Sequence, residues 1–319
     1  PHGAVGRELC PLLFAVHPVN VENTAWISER KTLLSSLFSM LAIMSYIDYC
    51  KGRGKRLYLR AALFFILAIL SKPVAVVLPA VLAAYELTLG NGLRRSALSL
   101  APMFAISIAG AVVAIKAQSG GGAVGPETLS AEVLFGTVYP TMLPVFWKYA
   151  GLVIWPFNQS GFYDTTTYNS FLAPQVVLSA IAIAASWIII FRYGKAQGRF
   201  WFLWFWLWLL PVSNIIPLPV LYADRYMYLP AISFFVLIGW IAERAALLGS
   251  SRQKHLHAGI SAVFIVFYAS IAFFRADVWK NDLAFWTDAA AKSPNLYVPH
   301  LNRGYALEER SRYEEAVRE

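Results

Sequence analysis

The sequence predicts an all-α, polytopic membrane protein that runs on into the first helices of an α-solenoid. Three observations lead there. Nine apolar runs of roughly membrane-spanning length lie between the N-terminus and Ala276. Hydrophobic residues make up 58% of the chain and charged residues only 14%, with a mean hydropathy of +0.54. After Ala276 the composition turns abruptly soluble.

An apolar fraction this high exceeds that of ordinary soluble domains. The net charge of +9 would suggest nucleic acid in a soluble chain. Here Lys and Arg sit in short loops between apolar runs, where they set orientation, so no nucleic-acid partner is implied. Cys10 and Cys50 lie in or beside apolar runs without CxxC spacing and imply neither a disulfide framework nor a zinc site. Residue 1 is Pro, no basic n-region precedes a cleavable signal, and the first apolar run begins almost at once, so the chain reads as part of a longer protein.

In chain order the predicted spans are residues 9–19, 32–50, 57–71, 73–89, 97–117, 175–193, 200–218, 230–248 and 259–276. Each reads as a helix, because lipid leaves only helices or closed barrels and barrel alternation is lacking. The basic loops place one side in the cytoplasm: Lys51 to Arg56, Arg94 and Arg95, Arg192 to Arg199, and Arg252 with Lys254. A further apolar stretch, 133–155, carries Pro140, Pro144, Trp147, Lys148, Tyr149 and Trp155. It reads as an interfacial or re-entrant helix, since one more crossing would move the 192–199 loop outside.

The opposite, outer face then receives residues 20–31, the Lys72 hairpin, 118–174, 219–230 and everything beyond 276. That face holds Glu22, Glu29, Glu127, Glu132, Asp164 and Asp224, so chemistry is expected there. The segment HPVNVENTAWISERK, His17 to Lys31, is its densest polar patch next to a span. Read as a helix from about Val19, it puts Glu22, Trp26 and Glu29 on one face, at i, i+4 and i+7. Such a face suits a sugar or a phosphate. On spacing alone it better suits an interfacial helix, with Trp26 in the aromatic belt and Arg30 and Lys31 reaching headgroups.

A second patch, NIIPLPVLYADRYMYLP from Asn214 to Pro230, adjoins a span carrying Pro211, Pro217 and Pro219. Proline frees backbone carbonyls that lipid cannot satisfy, so this stretch is expected to line a polar cavity or lie buried in protein. Asp224 and Arg225 read as a charge pair at its mouth, with Tyr222, Tyr226 and Tyr228 as walls. A guanidinium is well matched to phosphate; an interfacial salt bridge among belt tyrosines fits the composition as well. Lys72, in an SKP turn, projects to the same side as Arg30, Lys31 and Arg225. Asp164 lies in a polar aromatic loop, and Asn158 with Ser160 makes an N-x-S sequon. His2, His255 and His257 lack ligand spacing, so a divalent metal is not indicated, and Gly120 to Gly122 read as a loop.

Residues 277–319 fit a register of about 34 residues. Trp286, Ala289 and Pro294 take the large, small and proline positions of one tetratricopeptide repeat, and Gly304 and Ala316 the glycine and alanine of the next. Asp282 breaks the expected alanine. The chain therefore divides into a transmembrane domain, 1–276, and the beginning of tetratricopeptide repeats, 277–319.

LLFAVHPVNVENTAWISERKTLLSSLFSMLA, then SKP, then LYADRYMYLP before an apolar span, then a tetratricopeptide start, resembles the transmembrane and tetratricopeptide-repeat O-mannosyltransferases and their bacterial relatives, of the GT-C superfamily. The resemblance covers nearly the whole chain, and the order of motifs is its specific part. It implies a membrane glycosyltransferase that passes a sugar, mannose or another hexose, from a polyprenyl-phosphate donor to a protein hydroxyl on the outer or lumenal face. The repeats would recruit the acceptor. It implies that the catalytic carboxylate lies in a first outer loop expected upstream of Pro1, so that this stretch alone would be inactive. His17, Pro18 and Glu22 match the family's HP-x-x-x-E segment, which would line the cavity with Glu29, Asp164 and Asp224. Arg225 with Tyr226 matches its outer-loop arginine motif for the donor phosphate, with Arg30, Lys31 and Lys72 as further cations. The bacterial inner membrane and the endoplasmic reticulum both suit such a protein. The alternative class is a membrane-anchored tetratricopeptide scaffold that catalyses nothing.

Overall fold

A computed structural model describes residues 4–120, 130–216, 218–248 and 251–319. Every regular element among the described residues is helical, as the sequence predicts. In order these are α1 (Ala4–Val16), α2 (Val21–Ala25), α3 (Arg30–Cys50), α4 (Lys55–Ser71), α5 (Leu78–Thr88), α6 (Leu93–Gly120), α7 (Ala131–Val133) and α8 (Tyr139–Ile154). Then come α9 (Pro174–Tyr193), α10 (Ala196–Leu209), α11 (Ile232–Leu248), α12 (Ser251–Asp277), α13 (Asp282–Lys292), α14 (Tyr297–Glu308) and α15 (Tyr313–Ala316). Among the described residues four segments are long and apolar enough to cross a membrane: Ile27–Cys50, Leu93–Ala117, Pro174–Tyr193 and Leu256–Asp277. Leu98, Ile108, Ile181 and Phe273 are among their exposed side chains, and a hydrocarbon phase is what such exposure requires. The protein is a helical membrane protein. Helices occupy the other predicted spans too, but they are shorter; α1 has 13 residues and α10 has 14.

The boundaries have local causes. Between α3 and α4 the chain reverses through Gly52 and Gly54, at φ 75° and 119°, values that glycine adopts without a Cβ penalty. α4 ends where Lys72 precedes Pro73: the proline ring excludes the helical conformation of its predecessor, and Lys72 is extended at φ −154°, ψ 127°. α10 gives way to a 3-10 turn, Leu210–Val212, at Pro211, where an amide donor is missing. Residues 131–154 form one helical run containing a π turn, Leu134–Val138.

One expectation is corrected. Val19 to Glu29 is not a single helix: a 3-10 turn Pro18–Asn20 leads into α2, Trp26 is extended at ψ 115°, and a second 3-10 turn, Ile27–Glu29, precedes α3. Glu22, Trp26 and Glu29 therefore do not share a helical face. Asn20, Asn23 and Thr24 disfavour a helix interior by competing for backbone hydrogen bonds, and Thr24 Oγ1 donates to both Asn20 O and Val21 O at 3.1 Å.

The chain divides into two compact units. The first comprises residues 1–27, 148–166 and 222–319, the second 28–147 and 167–221. In the first, α1 packs on α11 and α12, and α13, α14 and α15 pair in succession. Phe14 meets Tyr228 edge-on at 5.0 Å, and Leu13, Met227 and Phe235 are buried. Ala289, Ala290, Ala306 and Leu307 fill the seam of the α13–α14 pair, where small side chains permit close approach. In the second unit α3 and α4 form a hairpin, and α5 packs on α6 and α10. Tyr46, Phe65, Leu78, Leu82, Met103 and Trp208 are its largest buried side chains.

Candidate functional site

The first unit holds the densest buried charge. Pro18 forces His17 into an extended conformation, φ −71° and ψ 133°. This turns the imidazole inward, where it is 2% exposed. Its Nδ1 accepts from the Val19 N–H at 3.2 Å, so Nε2, 3.0 Å from Val153 O, carries the proton and donates.

The turn that follows places Glu22 on α2. Glu22 is 2% exposed and accepts twice from Arg225: from the main-chain N–H at 2.9 Å and from Nη1 at 2.7 Å. The guanidinium also lies over Trp26 at 5.5 Å and Tyr226 at 5.1 Å. One carboxylate thus holds both the main chain and the side chain of Arg225, through charge-assisted hydrogen bonds.

Asp224, next to Arg225, is buried and accepts from the Tyr163 hydroxyl. Loss of hydration, and then the neighbouring charge of Glu22, raise its carboxyl up to about 7; the Tyr163 hydrogen bond, Arg275 and Arg225 oppose the rise. The Tyr163 ring lies tilted against that of Tyr222 at 4.4 Å, and Tyr222 donates to Lys148 O at 3.3 Å. Burial beside Asp224 raises both phenols above their ordinary value.

The loop that carries Tyr163 is seated on the end of α13. Lys292 Nζ donates to Gln159 O at 2.7 Å, Ser293 Oγ donates to Phe162 O at 2.8 Å, and the Asp164 N–H donates to Ser293 Oγ at 3.1 Å. Asn295 Nδ2 meets Asp164 Oδ2 at 3.0 Å, and Phe162 lies 5.3 Å from Trp286. Asp164 itself is exposed. α14 and α15 border an open cavity of about 700 Å³, lined by Tyr297, His300, Tyr305 and Tyr313 among others.

The second unit holds a separate group. Lys72 Nζ lies 2.8 Å from Glu29 Oε2 and 2.6 Å from Thr32 Oγ1, and the Thr32 hydroxyl donates to Glu29. Glu29 is 3% exposed. Arg30 and Lys31, in the first turn of α3, are exposed.

The structure thus brings together His17, Glu22, Asp224, Arg225 and Tyr226 in one unit and Glu29 with Lys72 in the other. The expected Asp224–Arg225 couple is recast: Glu22 holds the Arg225 guanidinium, and Asp224 takes the Tyr163 hydroxyl. Tyr163 and Arg275 were not singled out from the sequence. Arg275 carried a signal, a charge closing an apolar span; Tyr163, in a polar aromatic loop, carried none. Among the described residues no group of three or more His, Cys, Asp or Glu is placed to hold a metal ion. Pro217 and Glu127 lie outside the described residues.

No family model and no solved structure matches the chain. The chain is similar to a protein O-mannosyl-transferase of Caenorhabditis elegans, 22% identical across 93% of this chain. It spans 42% of the length of that curated relative.

Proposed function

We propose that this chain is the membrane part of a GT-C-type glycosyltransferase. It would pass a hexose such as mannose from a polyprenyl-phosphate donor to a protein hydroxyl at the outer or lumenal membrane face. The observation that carries the reading is the buried Glu22–Arg225 couple, which joins the HP-x-x-x-E segment to the DRYMYLP segment. Similarity to a protein O-mannosyl-transferase supports the same chemistry.

In such a transfer the bond from the sugar's anomeric carbon to the phosphate oxygen breaks, and its electron pair stays on that oxygen. The acceptor hydroxyl forms the new bond and gives its proton to a carboxylate base. Arg225 is the phosphate contact: a guanidinium offers a planar fork of donors that matches phosphate oxygens. Glu22 orients that fork, so its ordering is settled before the ligand arrives. The helices after α12 read as the start of tetratricopeptide repeats, which present the acceptor. A second reading, a scaffold without catalysis, draws on the cavity beside α14 and α15.

The test is binding of polyprenyl-phosphate mannose to the chain in lipid nanodiscs. Arg225→Lys keeps a charge against Glu22 but loses the fork, and should weaken binding. The double variant Glu22→Gln/Arg225→Gln, which leaves no unpaired charge, should weaken it more than tenfold, since losing a charged partner of a partly desolvated group costs about 2–5 kcal/mol. Wild-type affinity in both variants overturns the assignment.

A further inference from the structure

Arg275 closes α12 and is 7% exposed. Its Nη1 meets Asp288 Oδ2 of α13 at 2.8 Å, whereas Nη2 is buried without a hydrogen-bond partner. The guanidinium lies 5.8 Å from the centre of the Trp279 ring, and the buried indole N–H of Trp279 likewise has no partner. Two buried donors side by side without an acceptor are costly unless an oxygen comes to meet them. Asp288 is already shared, its other oxygen lying 2.6 Å from Lys292 Nζ.

These donors belong to the charge cluster described above. Trp279 lies 5.8 Å from Trp26, the ring that also carries Arg225. Arg225 and Arg275 both act on the carboxyl of Asp224. Two guanidinium groups are thus joined by a pair of indoles, one guanidinium held at Nη1 by Glu22 and the other with a donor to spare.

We propose that Arg275, with the indole N–H of Trp279, is a second phosphate contact, which takes up the charge that appears when the sugar leaves. It rests on the donor reading above. The donor is a phosphodiester with one negative charge. Cleavage leaves its electron pair on the phosphate, and the product is a monoester that carries between one and a half and two negative charges near pH 7, as about −1.5 to −2 is usual for such groups. Arg225 meets the charge common to both lipids. Arg275 meets the added charge, so its contribution is larger for the product than for the donor, which is the difference that accelerates a step rather than merely tightening binding.

The experiment compares affinities for polyprenyl phosphate and polyprenyl-phosphate mannose, both in nanodiscs. Arg275→Gln should lower affinity for the phosphate about tenfold or more and for the mannose conjugate less than about threefold. Asp288→Asn removes the other partner of Arg275 and should retain the wild-type preference for the phosphate. Trp279→Phe keeps the ring but removes the N–H, and should lower that preference in the same direction as Arg275→Gln; it serves as the reading if Arg275→Gln does not fold. Equal losses for both lipids, an Asp288→Asn effect matching that of Arg275→Gln, or an unchanged preference in Trp279→Phe overturns the proposal alone. A wild-type chain that binds neither lipid overturns the donor reading together with it.

Discussion

Glu22 and Arg225 stand 203 positions apart in the chain, yet the guanidinium reaches one carboxylate oxygen at 2.7 Å and the Arg225 main-chain N–H reaches the other at 2.9 Å. The carboxylate is almost fully buried and the guanidinium nearly so, with side-chain exposures of 1% and 12%. Burying an ion pair is close to neutral when both partners are present, and costly when one is removed. The couple therefore makes the two motifs depend on each other.

Glu22→Gln or Arg225→Gln alone should destabilise the folded chain by about 3–5 kcal/mol, because each takes a hydrogen-bonded counter-charge away from a buried ion. The double variant should cost less than the sum, with a coupling of about 0.5–3 kcal/mol. Thermal unfolding of the four proteins in one detergent measures this cycle; strictly additive effects would mean that the two groups do not interact in solution.

Lys72 and Glu29 should behave in the same way within the second unit. Lys72→Met leaves Glu29 buried beside Thr32 without its ammonium and should cost about 3–5 kcal/mol, and adding Glu29→Gln should restore much of it. If Lys72→Met unfolds at the wild-type temperature and instead abolishes donor binding, Lys72 is a ligand contact and not a tether.

Gly161 touches the far edge of the Phe285 ring, so a Cβ there collides with it. Phe285 is itself held against Trp279 at 4.6 Å and Trp286 at 4.8 Å. Gly161→Ala should therefore cost about 1–3 kcal/mol, as overpacking does, and Phe285→Leu should relieve part of it. Unchanged stability in Gly161→Ala would show that the 157–164 loop is not seated on α13.

The helices were legible in the sequence because their causes are local. Apolar length marked the spans and the SKP turn the break at Lys72, whereas the span read as 200–218 ends as a helix at Leu209, because Pro211 removes an amide donor. The break at Trp26 was missed because an i, i+4, i+7 pattern has the same spacing whether or not the backbone between stays helical.

The sequence by itself determined the class, the placing of nearly every helix, and the two segments that hold the buried charge. Hydropathy and backbone sterics act over a few neighbouring residues, so a linear reading suffices for them. Only the tertiary structure decided which acid meets which base: Glu22 with Arg225, Glu29 with Lys72, Asp224 with Tyr163, Arg275 with Asp288. An ion pair forms only within a few ångströms, and its strength depends on how much water the fold removes. For Glu22 and Arg225 that distance and that burial follow from α1, α11 and α12 packing together, which no local pattern in the chain encodes.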